Sequence, residues 1–204
     1  MTQLTPLNPD LYQARPVSET IAVYDEWAAT YDGDLEAKGY HTPTRVAAAI
    51  KPYVPRDTVI LDFGCGTGVS GAALKAEGFN KIHGTDVTQG MLDQAETKGI
   101  YDKLWLGDVH KPPCETGAYK CILAVGVISL AAAPPDTLAE VLGVLPYGGI
   151  LALSFNDPSL AAGTYDAALD RAVSAGRATV LFREHGPHID KMNMGCDVIV
   201  LQRL

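Results

Sequence analysis

The spacing of apolar residues changes period along the chain. From Ser18, the residues Ile21, Tyr24, Ala28, Tyr31 and Leu35 recur at steps of three and four, which puts them on one face of a helix that Ser18 can cap. Thr42-Pro43 opens a second helix, with Thr as N-cap and Pro in the first turn, running toward Tyr53. Then short apolar runs alternate with helical stretches. Thr58 to Phe63 reads as a strand, Gly68 to Glu77 as a helix closed by Gly78, Lys81 to Asp86 as a strand, and Thr88 to Lys98 as a helix closed by Gly99. Strands at Lys103 to Leu106, Lys120 to Val127 and Ile150 to Phe155 follow, with a helix from about Pro135 to Leu145 before the last. This alternation implies a parallel sheet with helices on both faces and right-handed crossovers. The end differs. A helix from about Pro158 to Ala175 precedes strand-like runs at Thr179 to His185 and Asp197 to Leu204, and the loop of about a dozen residues between them lacks a helical pattern, so an antiparallel pair is expected.

With 204 residues, 47% of them hydrophobic, the chain suits one α/β domain and is short for two. The apolar run Cys121 to Val125 falls far short of the roughly 20 residues a membrane-spanning helix needs. Met1 to Asp10 show no basic cluster followed by an apolar stretch, so no secretory signal is visible and a cytoplasmic location is expected. Cys65, Cys114, Cys121 and Cys196 form no CxxC pair, and neither a disulfide framework nor a metal site is suggested. A net charge of −8 argues against nucleic acid as the main partner and favours a small molecule.

The chemistry concentrates in Val59-Ile-Leu-Asp62-Phe-Gly64-Cys65-Gly66-Thr67-Gly68, a strand running into a glycine-rich turn and a helix. Glycines there turn the backbone tightly and let a ligand lie against it. The spacing is GxGxG, with Val69 where a dinucleotide fingerprint places glycine. Asp62 adds a carboxylate just before the turn, which would oppose a pyrophosphate and attract a ligand bearing an ammonium and a sulfonium. The carboxylate of such a ligand can be received by the loop amides and the helix N-terminus.

Asp62 to Gly68 resembles the first motif of class I S-adenosylmethionine-dependent methyltransferases, and the strand pattern fits their Rossmann-like α/β fold: a seven-stranded, mostly parallel sheet with an antiparallel C-terminal pair. Val23-Tyr24-Asp25-Glu26-Trp27-Ala28-Ala29-Thr30-Tyr31-Asp32 and Lys98-Gly-Ile-Tyr101 further resemble the small methyltransferase-like proteins named after the Williams–Beuren region. The resemblance implies S-adenosylmethionine as cofactor. It implies that Asp86, 18 residues beyond Gly68 and followed by Val87, holds both ribose hydroxyls by charge-assisted hydrogen bonds. Met91 is expected against the adenine, Asp108 in Gly107-Asp108-Val109 is expected to accept from its amino group, and Val125-Gly126 close the pocket. Residues 1–41 form an N-terminal segment and lid helix, and 42–204 the cofactor-binding domain, within one compact unit.

Two departures bear on the acceptor. Pro146-Tyr147-Gly148-Gly149 replaces a common Lys-Pro-Gly-Gly before the fifth strand, and Leu130 stands where close relatives tend to carry a polar residue or histidine. The Asp/Asn-Pro-Pro-Tyr signature of amino methylation on nucleobases is absent, and Asn156-Asp157-Pro158 reads as a helix start. Tyr24, Trp27 and Tyr31 have two open roles: packing the first helix on the sheet, or facing the sulfonium as a lid with cation–π attraction. His41, His185 and His188 are the candidate bases, His41 first because it neighbours Tyr40 and the lid. The expected function is in-line methyl transfer to a small-molecule acceptor. The rivals are a non-catalytic cofactor-binding module and a nicotinamide-dependent oxidoreductase, and the oligomeric state is open.

Overall fold

The computed structural model describes residues 15–130 and 132–204; residues 1–14 of the expected N-terminal segment, and Ala131, lie outside them. Seven strands form one sheet: β1 (Ile60–Phe63), β2 (Ile82–Asp86), β3 (Lys103–Leu106), β4 (Cys121–Ala124), β5 (Ile150–Asn156), β6 (Ala178–Ile189) and β7 (Met194–Arg203). Their order is β3-β2-β1-β4-β5-β7-β6. β1 to β5 run parallel, and β7 is antiparallel to both β5 and β6. The order reverses between β1 and β4, which is where open α/β sheets bind ligands beyond their carboxyl ends.

Strand residues alternate between two cores, as the period of two requires. Leu61, Ile122, Leu151 and Ile199 join α6 (Thr137–Val144) and α8 (Thr164–Ser174) on one face. Ile60, Leu123, Ala152 and Val198 meet α3 (Thr42–Ala49) and α4 (Val69–Ala76) on the other. Helices therefore cover both faces. α5 (Gln89–Thr97) follows β2, and no helix among the described residues is long and apolar enough to cross a membrane.

The helix expected to run from Ser18 to Leu35 is two helices, α1 (Val17–Trp27) and α2 (Tyr31–Glu36), and Ser18 is not its cap. The Trp27 indole N–H (2.7 Å) and the Thr30 hydroxyl (3.1 Å) both donate to Asp34 Oδ2, which turns the chain between the helices. Trp27 and Leu35 still share one small cluster with Ile189. Their helical spacing thus reflects two short helices burying one patch.

Three further boundaries move. α3 begins at Thr42 with His41 as the capping position, and it ends at Ala49, short of Tyr53. The expected helix from Pro158 to Ala175 breaks at Gly163, whose φ of +70° ends α7 (Asp157–Ala162) and starts α8. β6 and β7 run beyond the expected limits, leaving only a 3₁₀ turn at Asp190–Met192 and Asn193 between them. Pro187 is tolerated in β6 because that strand is an edge.

Candidate functional site

The carboxyl ends of the parallel strands open onto a cavity of about 840 Å³, to which α1 and α2 also contribute walls. That is near the upper end of ligand pockets, roughly 300–1,000 Å³. Its walls run from β3 at one end to β5 and β6 at the other.

The β1–β3 end is built on the glycine turn. Gly64 and Gly66 line the cavity with φ of +69° and +53°. A Cβ on Gly64 would lie 2.3 Å from Val127 Cγ2, whereas one on Gly66 would meet nothing within 4 Å and stand in open space beside the cavity. Asp86 faces this turn from the end of β2. Its Oδ2 accepts from the Gly66 amide at 2.9 Å and its Oδ1 from the Thr88 amide at 2.9 Å. Burial pushes the carboxyl up and these amides pull it back. Asp86 is itself a cavity wall, so its carboxylate is within reach of a ligand hydroxyl.

Val87, Met91, Gly107, Asp108 and Val109 continue this end, with Met91 buried and Val109 half-exposed. Asp108 is turned to its own loop. Its Oδ1 accepts from the His110 amide at 2.9 Å and Lys111 pairs with it at 3.0 Å, which holds its carboxyl below the usual range.

Asp62 lies beneath the turn and is not a cavity wall. Ser70 and Tyr101 donate to its Oδ2 at 2.6 and 2.7 Å. Burial, only partly offset by these bonds, raises the carboxyl to about 6. Its Oδ1 is the one buried side-chain polar atom among the described residues with no partner. An ammonium group, directly or through water, would satisfy it. Cys65, Thr67 and Gly68 are not walls either. The Cys65 sulfur points back toward Gly84 of β2, and burial pushes its thiol up, so it stays protonated. Gly68, with a φ of +92°, precedes α4 as its cap. The Thr67 hydroxyl donates to Asp32 of α2.

That last bond belongs to a latch. Asp25 Oδ1 of α1 accepts from the Gly90 amide at the start of α5 (2.8 Å), and Asp32 also pairs with Lys98. Asp25 and Asp32 thus fasten the lid to the turn and to α5. Tyr24, Trp27 and Tyr31 pack on one another, with ring centroids 4.6 to 6.3 Å apart, and all three also line the cavity. Mutual packing and a place on the cavity wall thus fall to the same side chains. Burial and the Asp86 charge hold the Tyr24 hydroxyl at about 12, so it remains a neutral donor.

At the opposite end, Val125 and Gly126 lead from β4 to Ser129, Asn156 ends β5, and His188 and Ile189 come from β6. His188 is only 6% exposed. Its Nδ1 lies 2.7 Å from Thr42 Oγ1, which is 3.1 Å from Cys196 Sγ. Burial lowers the imidazole to about 4, with Asp157 opposing and Arg45 assisting, so the ring is neutral at neutral pH. Since Nδ1 is engaged with Thr42, Nε2 is the nitrogen left for a ligand. Tyr40 meets the ring edge-on at 5.4 Å and lines the same end.

The other two histidines lie elsewhere. His41 is exposed, with Nε2 2.7 Å from Asp190, and His185 is exposed, with Nδ1 2.8 Å from Asp197; neither is a cavity wall. The sequence order of preference, which put His41 first, followed proximity in the chain to Tyr40. The structure brings Tyr40 to His188 instead, through the bridge between Tyr40 and Ile189. Sequence reasoning also missed Thr42, Asn156 and Tyr101 as site-building residues. Thr42 and Asn156 were read only as helix starts, and the Asn156 reading holds: its Oδ1 accepts from the Ser159 amide at 3.1 Å.

The comparisons with known proteins agree with this geometry. The family described as methyltransferase domain matches residues 61–153, which hold the glycine turn, Asp86 and Asp108. A [4+2]-cyclase, SpnF, superposes with a TM-score of 0.67 over 94% of this chain and 97% of its own, at 15% identity. Magnesium protoporphyrin IX methyltransferase from Synechocystis PCC 6803, solved with bound S-adenosylhomocysteine, gives 0.67 over 91% and 100%, at 12% identity. Likenesses this remote in sequence speak for the fold. The human methyltransferase-like protein 27 is nearer: 33% identical over 168 residues, which cover 78% of this chain and 68% of that protein. At that identity and coverage the relation is one of family: the chain belongs to the class I S-adenosylmethionine-dependent methyltransferases and is an enzyme of that kind.

Proposed function

We propose that the enzyme methylates a small molecule bound at the His188 end of the cavity, with Asp86 and the glycine turn holding the cofactor at the other. One observation carries the reading: a single cavity joins a carboxylate anchored on loop amides to a neutral, buried imidazole. When bound, S-adenosylmethionine supplies a methyl group activated by its sulfonium.

The protein's own work is then placement, exclusion of water and management of one proton. Asp86 accepts from vicinal hydroxyls, Asp62 attracts an ammonium by its charge from beneath the turn, and Met91 and Val109 offer apolar surface to a flat ring. The latched lid covers the space and sets Tyr31 and Trp27 over it. At the far end, His188 Nε2 accepts the proton of a hydroxyl or thiol nucleophile as its new bond forms, while Thr42 fixes the ring through Nδ1. His188 replaces His41 as the preferred base because it alone of the three candidates lines the cavity.

Incubation with S-adenosylmethionine and a fractionated cell extract tests the proposal. S-adenosylhomocysteine should accumulate with the low-molecular-mass fraction. Accumulation only with the protein or RNA fraction would overturn the small-molecule reading, and binding without turnover on any fraction would favour a non-catalytic module.

A further inference from the structure

The walls of the cavity differ in charge from end to end. Asp86 and Asp108 belong to the β1–β3 end, Lys111 is tied to Asp108, and Glu140 projects from α6. The end bounded by Trp27, Leu35, Tyr40, Ser129, Asn156 and His188 has no formally charged wall among the described residues. The nearby ions are committed elsewhere. Arg45 donates to the carbonyls of Pro187, Cys196 and Glu184, Asp34 holds the Trp27 indole, and Asp157 accepts from the Gly195 amide.

We propose, resting on the reading that this is the acceptor end, that it admits an uncharged, largely apolar acceptor carrying a hydroxyl or thiol, and rejects carboxylates, phosphates and ammonium ions. An anion entering this end would shed its hydration and meet no Lys or Arg. An ammonium would find no carboxylate among these six walls, since the nearby Asp157 is turned to the Gly195 amide. A neutral hydroxyl loses far less. It donates to His188 Nε2 and accepts from Asn156 Nδ2, the amide group left over because Oδ1 must receive the Ser159 N–H. The remaining contact is with the aromatic and aliphatic surface of Trp27, Leu35, Tyr40 and Ile189. The chemistry in view is that of phenols, fatty or terpenoid alcohols and their thiol counterparts.

Three probes on one ring system test the class: 2-naphthylmethanol, 2-naphthoate and 2-naphthylmethylammonium, titrated calorimetrically into the full chain with and without saturating S-adenosylhomocysteine. The alcohol should bind at least tenfold more tightly than either ion. In Asn156→Asp the capping oxygen for Ser159 is kept and a negative charge is added, so preference should move about tenfold toward the ammonium probe. If S-adenosylhomocysteine binds but an ion competes equally with the alcohol, if none of the probes binds, or if Asn156→Asp leaves the preference unmoved, the acceptor class is overturned and the cofactor reading stands. Failure of S-adenosylhomocysteine itself to bind would overturn the cofactor reading, and the probes on the free protein would still decide the class.

Discussion

At the β1–β3 end of the cavity the walls beneath α1 come from three short stretches, 63–66, 85–91 and 105–113, each a strand end and the turn that follows it. At the other end they come from α2, the β4 and β5 ends and the far end of β6, brought together across more than 140 residues by bonds such as Thr42 to His188. The first end is charged, and its carboxylates are wired to backbone amides. The second is neutral, and its imidazole is wired to other side chains, Thr42 and through it Cys196. A site made of local turns keeps its shape wherever the strands align. A site made of distant side chains can change its occupant with a few substitutions while the fold is kept. The first suits a fixed cofactor and the second a variable acceptor.

The sharpest way to break this division is His188→Gln. With an acceptor in hand, turnover should fall by about 10²–10⁴ while the KM for S-adenosylmethionine stays within about twofold. A rise in that KM as large as the fall in kcat would make the two ends one site. Thr42→Val should act through His188, freeing Nδ1 and lowering kcat about tenfold, and Thr42→Ser should restore most of it. Equal loss in the Val and Ser variants would assign Thr42 to packing alone.

The smallest effect is electrostatic. The His188 ring should titrate near 4 by NMR. Its folded-state value lies below the ordinary 6.5, so its neutral form contributes stability that is present above about pH 6.5 and is lost as pH falls toward 4, up to roughly 3 kcal/mol. Asp62, raised to about 6, acts in the opposite sense: its contribution grows as pH falls through 6. The clean measure is therefore the stability difference between wild type and His188→Gln, in which Asp62 cancels. That difference should shift against the wild type between pH 6.5 and 4. A constant difference would mean a solvated ring.

The two ends were also unequally legible in the sequence. Asp62, the glycines and Asp86 lie in one strand-turn-helix-strand run, so their spacing alone brought them together. Tyr24, Trp27 and Tyr31 were read as one stripe, and the break at Thr30 went unseen because the Trp27–Asp34 bond that makes it has no local pattern. His188 was visible only as one of three histidines. Its separation from His41 and His185 depends on β6 running on past Pro187, on the Tyr40–Ile189 bridge and on burial, none of which a spacing rule carries. Gly163 was readable as a helix breaker and was passed over inside an otherwise periodic run.

The most direct test of the divided cavity is calorimetric titration of S-adenosylhomocysteine into wild type, Asp86→Ala and His188→Gln side by side. Removing the Asp86 carboxylate should cost charge-assisted hydrogen bonds worth about 1.5–3 kcal/mol and weaken binding by roughly one to two decades. His188→Gln should match wild type within about twofold. Unchanged affinity in Asp86→Ala, or an equal loss in both variants, would contradict the assignment of the cofactor to the β1–β3 end.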